Sequence, residues 1–247
     1  MKTNKLSQLY ASILINAVYS MENYPVTLVN TLMAPLSILI IIVLISHGAL
    51  LNVSIAGALI MTMVTSGIGL QADLSHLKND FKIQEMIVSS PTSAFMYMLG
   101  MSMSEIIFSL PAIIILTILA VLFIKTTIIG GIIIFIVMAL MFTFSIALGF
   151  FLSTYSTDIV QNYAFIGILS IFLTTIPPVY YPITYIPLPW RYIAYLSPTT
   201  YAAEIIQSAI GSIQLSPVTL AIDWIVITAL AIILLAVSIK KSQWREK

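Results

Sequence analysis

Long apolar runs separated by short polar stretches set the layout of the chain. About 20 predominantly apolar residues are enough to cross a bilayer as a helix. Six stretches meet that length: Val26–Ser46, Val53–Leu70, Ile106–Ile124, Ile128–Leu152, Val160–Val179 and Val218–Ile239. The third can begin earlier, because residues 94–104 are also apolar and suit a helix. The pattern predicts an all-α integral membrane protein with six transmembrane helices. An even number of crossings leaves both termini on one side. Pro35 and Pro111 fall inside the first and third stretches, where a local kink is expected.

A different rhythm precedes the first run. Leu6, Leu9, Tyr10, Ile13, Leu14, Ala17, Val18 and Met21 recur at steps of three and four. Ser7, Gln8, Ser12, Asn16 and Ser20 fall on other faces. Residues 1–24 are therefore expected to form an amphipathic helix lying in the membrane interface and ending before Pro25. The alternative is the packed start of a longer first span. Polar residues interleave too closely here for the apolar core of a secretory signal.

The most polar internal segment spans residues 71–93 and reads QADLSHLKNDFKIQEMIVSSPTS. Its charges (Asp73, Lys78, Asp80, Lys82, Glu85) alternate with Leu74, Leu77, Phe81, Ile83, Met86 and Ile87. Mixed charge over helical spacing suits a short surface helix with a partner-facing side. Ser90 followed by Pro91 fits an N-cap and a first-turn proline that restart a helix.

Between the last two runs, residues 177–204 begin PPVYYPITYIPLPWRYIAYLSPTTY. Six of the chain's 11 prolines and six of its 12 tyrosines lie here, with Trp190 and one cation, Arg191. Proline lacks an N–H and clashes with the preceding turn, so no continuous helix can form. Tyrosine and tryptophan favour the boundary between hydrocarbon and water. The expectation is a re-entrant helical hairpin that dips into the membrane before the last span.

Composition supports this class and excludes others. Hydrophobic residues make up 60% of the chain and charged residues 8%, against ~45–50% and ~25% in soluble domains. The whole chain, residues 1–247, is therefore expected to be a single membrane domain. Cysteine is absent, which removes disulfides and thiolate metal sites. Net charge is +1 and no basic patch is available to hold nucleic acid. Lysine and arginine in short loops report orientation. A cytoplasmic N-terminus leaves Lys2, Lys5, Lys78, Lys82, Lys240, Lys241, Arg245 and Lys247 inside, and only Lys125 and Arg191 outside. The expected localisation is the cell membrane with both termini in the cytoplasm and the 177–204 segment external.

Candidate chemistry is sparse. No GxxxxGK[ST] phosphate loop, HExxH, GxSxG or pair of catalytic carboxylates occurs, and His47 and His76 are isolated. No metal site or cofactor is expected for this chain. Glu105, Asp158, Glu204 and Asp223 lie near or within spans, where a charge usually faces protein or water. Structural or interfacial roles are the plainest reading of each. No internal repeat relates the first three runs to the last three.

Two segments resemble ABC-2 type transporter permeases, the membrane subunits of ATP-driven exporters. The family pattern before the last span appears as Tyr181-Pro182, Leu188-Pro189, Ser197-Pro198-Thr199-Thr200-Tyr201 and Glu204. Pro177-Pro178-Val179 stands where the family usually carries a glycine. In the cytoplasmic segment Lys82, Glu85, Ser90-Pro91 and Gly100 match in part, without the family's arginines. The resemblance implies a coupling helix that docks on a separate ATPase subunit holding ATP and magnesium, with Phe81, Lys82, Glu85, Met86 and Pro91 as contacts. It also implies a homodimer, or pairing with a similar permease, among membrane lipids. The chain itself would not be catalytic. Drug-like, lipidic, glycan and ion cargoes are all compatible with an apolar interface, with a lean toward a drug or lipid-like one. The rivals are an ion-coupled secondary transporter or channel using Glu105 and Asp223, and a non-transporting membrane scaffold.

Overall fold

A computed structural model describes residues 5–23, 25–79, 94–155 and 159–241. It is helical, with no strand among the described residues. At the N-terminal end, α1 (Lys5–Ile13) runs through a π-helical turn (Leu14–Val18) into α2 (Tyr19–Asn23), and α3 covers Pro25–Ile45. The long helices α4 (Leu51–Asn79), α5 (Ala94–Phe123) and α6 (Ile128–Tyr155) follow. Next come α7 (Ile159–Ser170), a second π turn (Ile171–Thr175), a 3-10 turn (Ile183–Tyr185), α8 (Arg191–Ala194), α9 (Pro198–Ala209) and α10 (Pro217–Lys241).

Four helices are long and apolar enough to cross a membrane: Leu51–Ala72, Met96–Phe123, Ile128–Thr154 and Pro217–Lys240. Thr31–Ile45 and Val160–Thr175 are shorter apolar helices. Each expected run coincides with one of these six, but two boundaries move. The fifth apolar run reaches Val179, whereas its helix stops after the π turn, because Pro177 and Pro178 can supply no backbone donor. The second run ends at Leu70, whereas α4 continues to Asn79. The first part of the expected cytoplasmic loop is thus the end of α4. Residues 80–93 lie outside the described residues, as does Asp158.

Close approach of backbones organises the core. A Cβ at Gly67 would sit 2.7 Å from the backbone nitrogen of Ile146, and one at Gly149 the same distance from the Gly67 carbonyl oxygen. Only glycine lets α4 and α6 meet at that spacing, as small residues do between membrane helices. The hydroxyls of Thr62, Thr65 and Ser66 bond back to carbonyls three or four residues earlier on α4, and Ser66 also pairs with Ser109 of α5. Around this contact pack Ile55, Ile60, Ile68, Leu70, Met101, Leu116 and Met141, all fully buried.

α1 lies along the first half of α5. A Cβ at Gly100 would fall 2.6 Å from the Ser12 hydroxyl, and the Ser104 hydroxyl donates to the Ser12 carbonyl at 3.5 Å. Tyr10, Ile15 and Tyr19 remain exposed.

Candidate functional site

The segment that follows α7 folds onto the start of α4. Its first anchor is Gly57, where a Cβ would lie 2.9 Å from the Val179 carbonyl carbon and 3.1 Å from the Tyr180 Cα. Ser54 donates to the Tyr180 carbonyl at 3.3 Å, and the buried Tyr180 hydroxyl points at the Met61 sulfur, 2.7 Å away. A helix break whose carbonyls would otherwise be orphaned is thus received by a polar, glycine-notched helix start.

Beyond it, the chain is held by its own side chains. Arg191 donates from Nε to the Ile186 carbonyl at 2.6 Å and from a terminal nitrogen to the Thr184 carbonyl at 2.9 Å. Ser197 caps the start of α9 with extended backbone, Pro198 occupies its first turn, and the Ser197 hydroxyl pairs with Thr199 at 2.8 Å. Thr200 donates to the Ala194 carbonyl, and Tyr201 to the Tyr195 carbonyl at 2.9 Å. Tyr195 closes the loop by donating to Glu204 Oε1 at 3.0 Å. Burial and the Glu204 carboxylate push the Tyr195 phenol up from its ordinary range, so it keeps the proton it donates. One turn later, Gln207 Nε2 donates to the carbonyls of Pro178 at 3.2 Å and Tyr181 at 3.3 Å.

The product is a short helix, buried from Pro198 to Gln207 except at half-buried Tyr201, and tied to both ends of the irregular segment. Glu204 Oε2, Gln207 Oε1 and Asp223 Oδ2 are buried without a hydrogen-bond partner among the described residues. Asp223, fully buried on α10, contributes to the electrostatic surroundings of Tyr195 together with Glu204. The outer side is apolar instead: Leu188, Trp190, Tyr192 and Leu196 are all exposed. The Tyr181 and Tyr185 rings stack at 6.5 Å. They face a surface cavity of about 360 Å³ whose other walls are Ile42, Ile45, Ser46, Ala49 and Leu50.

The residues singled out from the sequence separate into two groups. Pro182, Ser197, Pro198 and Glu204 are buried in this docked segment, Tyr181 and Tyr201 are half-buried, and Pro189 is exposed at a cis peptide bond. Phe81, Lys82, Glu85, Met86 and Pro91 lie outside the described residues. Glu105 is buried on α5, and Asp223 lies on α10 beside Tyr195 and Glu204. Among the described residues, no group of three or more His, Cys, Asp or Glu side chains could hold a metal ion.

Sequence reading passed over Tyr195, Gln207, Gln71 and Asn162. The last two are both fully buried, and Gln71 Nε2 donates to Asn162 Oδ1 at 2.7 Å. The available signal was amides at the edges of two apolar runs, Gln71 just after Leu70 and the Gln161-Asn162 pair just after Val160. Polar side chains within spans usually have a partner on another helix.

Comparison with known families gives a match over most of the chain. The family described as ABC-2 type transporter covers residues 8–210, from within α1 to the end of α9. No curated protein matches the chain.

Proposed function

The chain belongs to the ABC-2 type transporter family, and we propose that it is the membrane permease subunit of an ATP-driven exporter. Membership makes it a multi-pass membrane protein and a transport component that is not itself catalytic. The proposal adds six crossings, cytoplasmic termini in the cell membrane, and residues 177–204 as a re-entrant element on the external side. Two copies, or this chain and a similar permease, would surround the path among membrane lipids. A separate ATPase subunit would hold ATP and magnesium, and closure of its nucleotide sites would be carried to the spans through residues 71–93. The cargo class proposed for so apolar a chain is drug-like, lipidic or glycan.

One observation carries most of this reading. The Ser197-Pro198-x-x-Tyr201-x-x-Glu204 stretch, which supports the resemblance, is also the part that the hydrogen bonds of Tyr195, Tyr201 and Gln207 fasten in place. A broken backbone at membrane depth is tolerated only where protein satisfies its polar groups. These bonds meet that condition without making the segment a span.

Two experiments test the proposal. In this cysteine-free chain, single cysteines at Thr126, Ser75 and Ser242 report sidedness. An impermeant thiol reagent on intact cells should label only the first. Labelling at Ser242 would reverse the orientation. Co-purification tests the partner: Phe81→Ala should weaken ATPase retention more than Lys82→Ala, since buried aromatic anchors carry ~2 kcal/mol or more and rim charges usually less. Full retention of the ATPase by both variants, with normal transport, would remove residues 71–93 from the coupling role. Gradient-driven uptake by the chain alone in liposomes would favour the secondary-transporter rival.

A further inference from the structure

Between residues 160 and 170 of α7 only one side chain is buried, and it is polar: Asn162. Ile166, Leu169 and Ser170 are half-buried, while Val160, Tyr163, Phe165 and Ile168 are exposed. α7 is therefore held to α4 over this stretch at a single deep point, the Gln71–Asn162 amide bond of 2.7 Å. The remaining polar atoms of the pair, Gln71 Oε1 and Asn162 Nδ2, are both buried without a partner among the described residues.

Those two orphans are an acceptor and a donor. They are the second half of the ring that two carboxamides form when each donates one N–H and accepts at one oxygen. Exchanging oxygen and nitrogen in both amides gives the same account: one bond made, one complementary pair left over. A buried polar group without a partner is costly away from water, so a second arrangement that closes the ring is favoured in hydrogen bonding. α4 itself is poorly placed to move, because it meets α6 through Gly67 and Gly149 at backbone contact. α7 has no comparable contact along its exposed face.

We propose that Gln71 and Asn162 form a two-position latch, singly bonded in the arrangement described here and doubly bonded in a second one reached by a small shift of α7 against the α4–α6 pair. The location gives the latch its use. Gln71 lies on the helix that leads into residues 80–93, and Asn162 on the helix that ends in the π turn and the Pro177-Pro178 break. A shift of α7 between the two positions would therefore move the start of the docked segment against α4, which is how a bistable contact passes motion along a fold. That use rests on the permease reading. The two positions themselves do not, and they can be measured on the chain alone.

The test places nitroxide labels at Phe135→Cys on α6 and Tyr163→Cys on α7, both exposed sites in a chain with no native cysteine. Pulsed electron resonance in lipid nanodiscs should give two label separations. Asn162→Leu should leave one. The exchange pair Gln71→Asn with Asn162→Gln keeps both amides and should restore two. A single separation in the otherwise native chain would overturn the latch without recourse to any variant. So would two separations that persist in Asn162→Leu. A failed ATPase co-purification would sink the permease reading and leave this result untouched.

Discussion

α4 and α10 both have the length and composition of a membrane span, yet they sit in opposite surroundings. In α4 the most apolar window is 89% buried within the chain, and in α10 only 17%. The buried helix is the less apolar of the two. Its buried surface sets the small or polar Ser54, Ala56, Gly57, Ala58, Thr62, Ser66 and Gly67 among Ile55, Ile60, Ile68 and Leu70, whereas α10 displays Val218, Ile222, Ile225, Ile232 and Ile233 outward. In water, hydrophobicity would place them the other way round. In a bilayer, lipid tails solvate aliphatic side chains as well as a protein core does, so burial follows close packing and hydrogen bonding instead. The helix that others must approach closely carries glycine and other small residues at the points of approach, and its Thr62, Thr65 and Ser66 hydroxyls donate to its own carbonyls.

The strongest test of that contrast puts bulk where α4 meets α6. Gly67→Leu and Gly149→Leu drive a side chain into backbone atoms already within 3 Å of an added Cβ. Neither can be relieved by rotamer change alone. Fluorescence-detected size exclusion should recover no monodisperse protein for either variant, and normal recovery would mean the helices are not packed this way.

Truncation of the two helices comes next in size. Ile68→Ala, at a fully buried position on α4, should lower unfolding stability by ~2–5 kcal/mol. Ile225→Ala, at a position 67% exposed on α10, should stay within ~0.5 kcal/mol. The comparison breaks if the two variants melt together.

A smaller effect is expected where the break docks. Gln207→Leu leaves the Pro178 and Tyr181 carbonyls without their donor. The cost of orphaned buried polar groups is ~1–3 kcal/mol. The readout that separates this from general damage is local: proteolysis between the π turn at Ile171–Thr175 and α8 should accelerate while cleavage elsewhere in the chain is unchanged.

The sequence carries the helices better than it carries their roles. Six apolar runs predict six apolar helices, and the prolines at 177 and 178 predict a break, because both signals are local. Runs alone could not show that α4 is central, since its mean hydropathy points the other way. Nor could they end the fifth helix ahead of Pro177, because the π turn at Ile171–Thr175 looks the same as apolar helix in sequence. The Ser197-Pro198 start and Glu204 were legible as a motif. What they bind was not, because Tyr195 reaches Glu204 through an irregular turn that no helical spacing describes. Gln71 and Asn162 are 91 residues apart, and no periodicity links them.

The smallest expected effect concerns glycines that have no neighbour. Gly131 on α6 and Gly167 on α7 would meet nothing within 4 Å if a Cβ were added, unlike Gly67 and Gly149. Within a helix, alanine is favoured over glycine by roughly 1 kcal/mol, so Gly131→Ala and Gly167→Ala should each leave stability unchanged or raise it by up to that amount. Thermal melting of the two variants in detergent beside the native chain makes the measurement. The α4–α6 contact supplies the scale, since there the same added methyl meets backbone. A loss of stability at one of the two positions, and not the other, would show that a second permease copy covers that face as closely as α6 covers α4. Neutral results at both would mean that these faces meet lipid, and that the closest helix contact in this region is the one between Gly67 and Gly149.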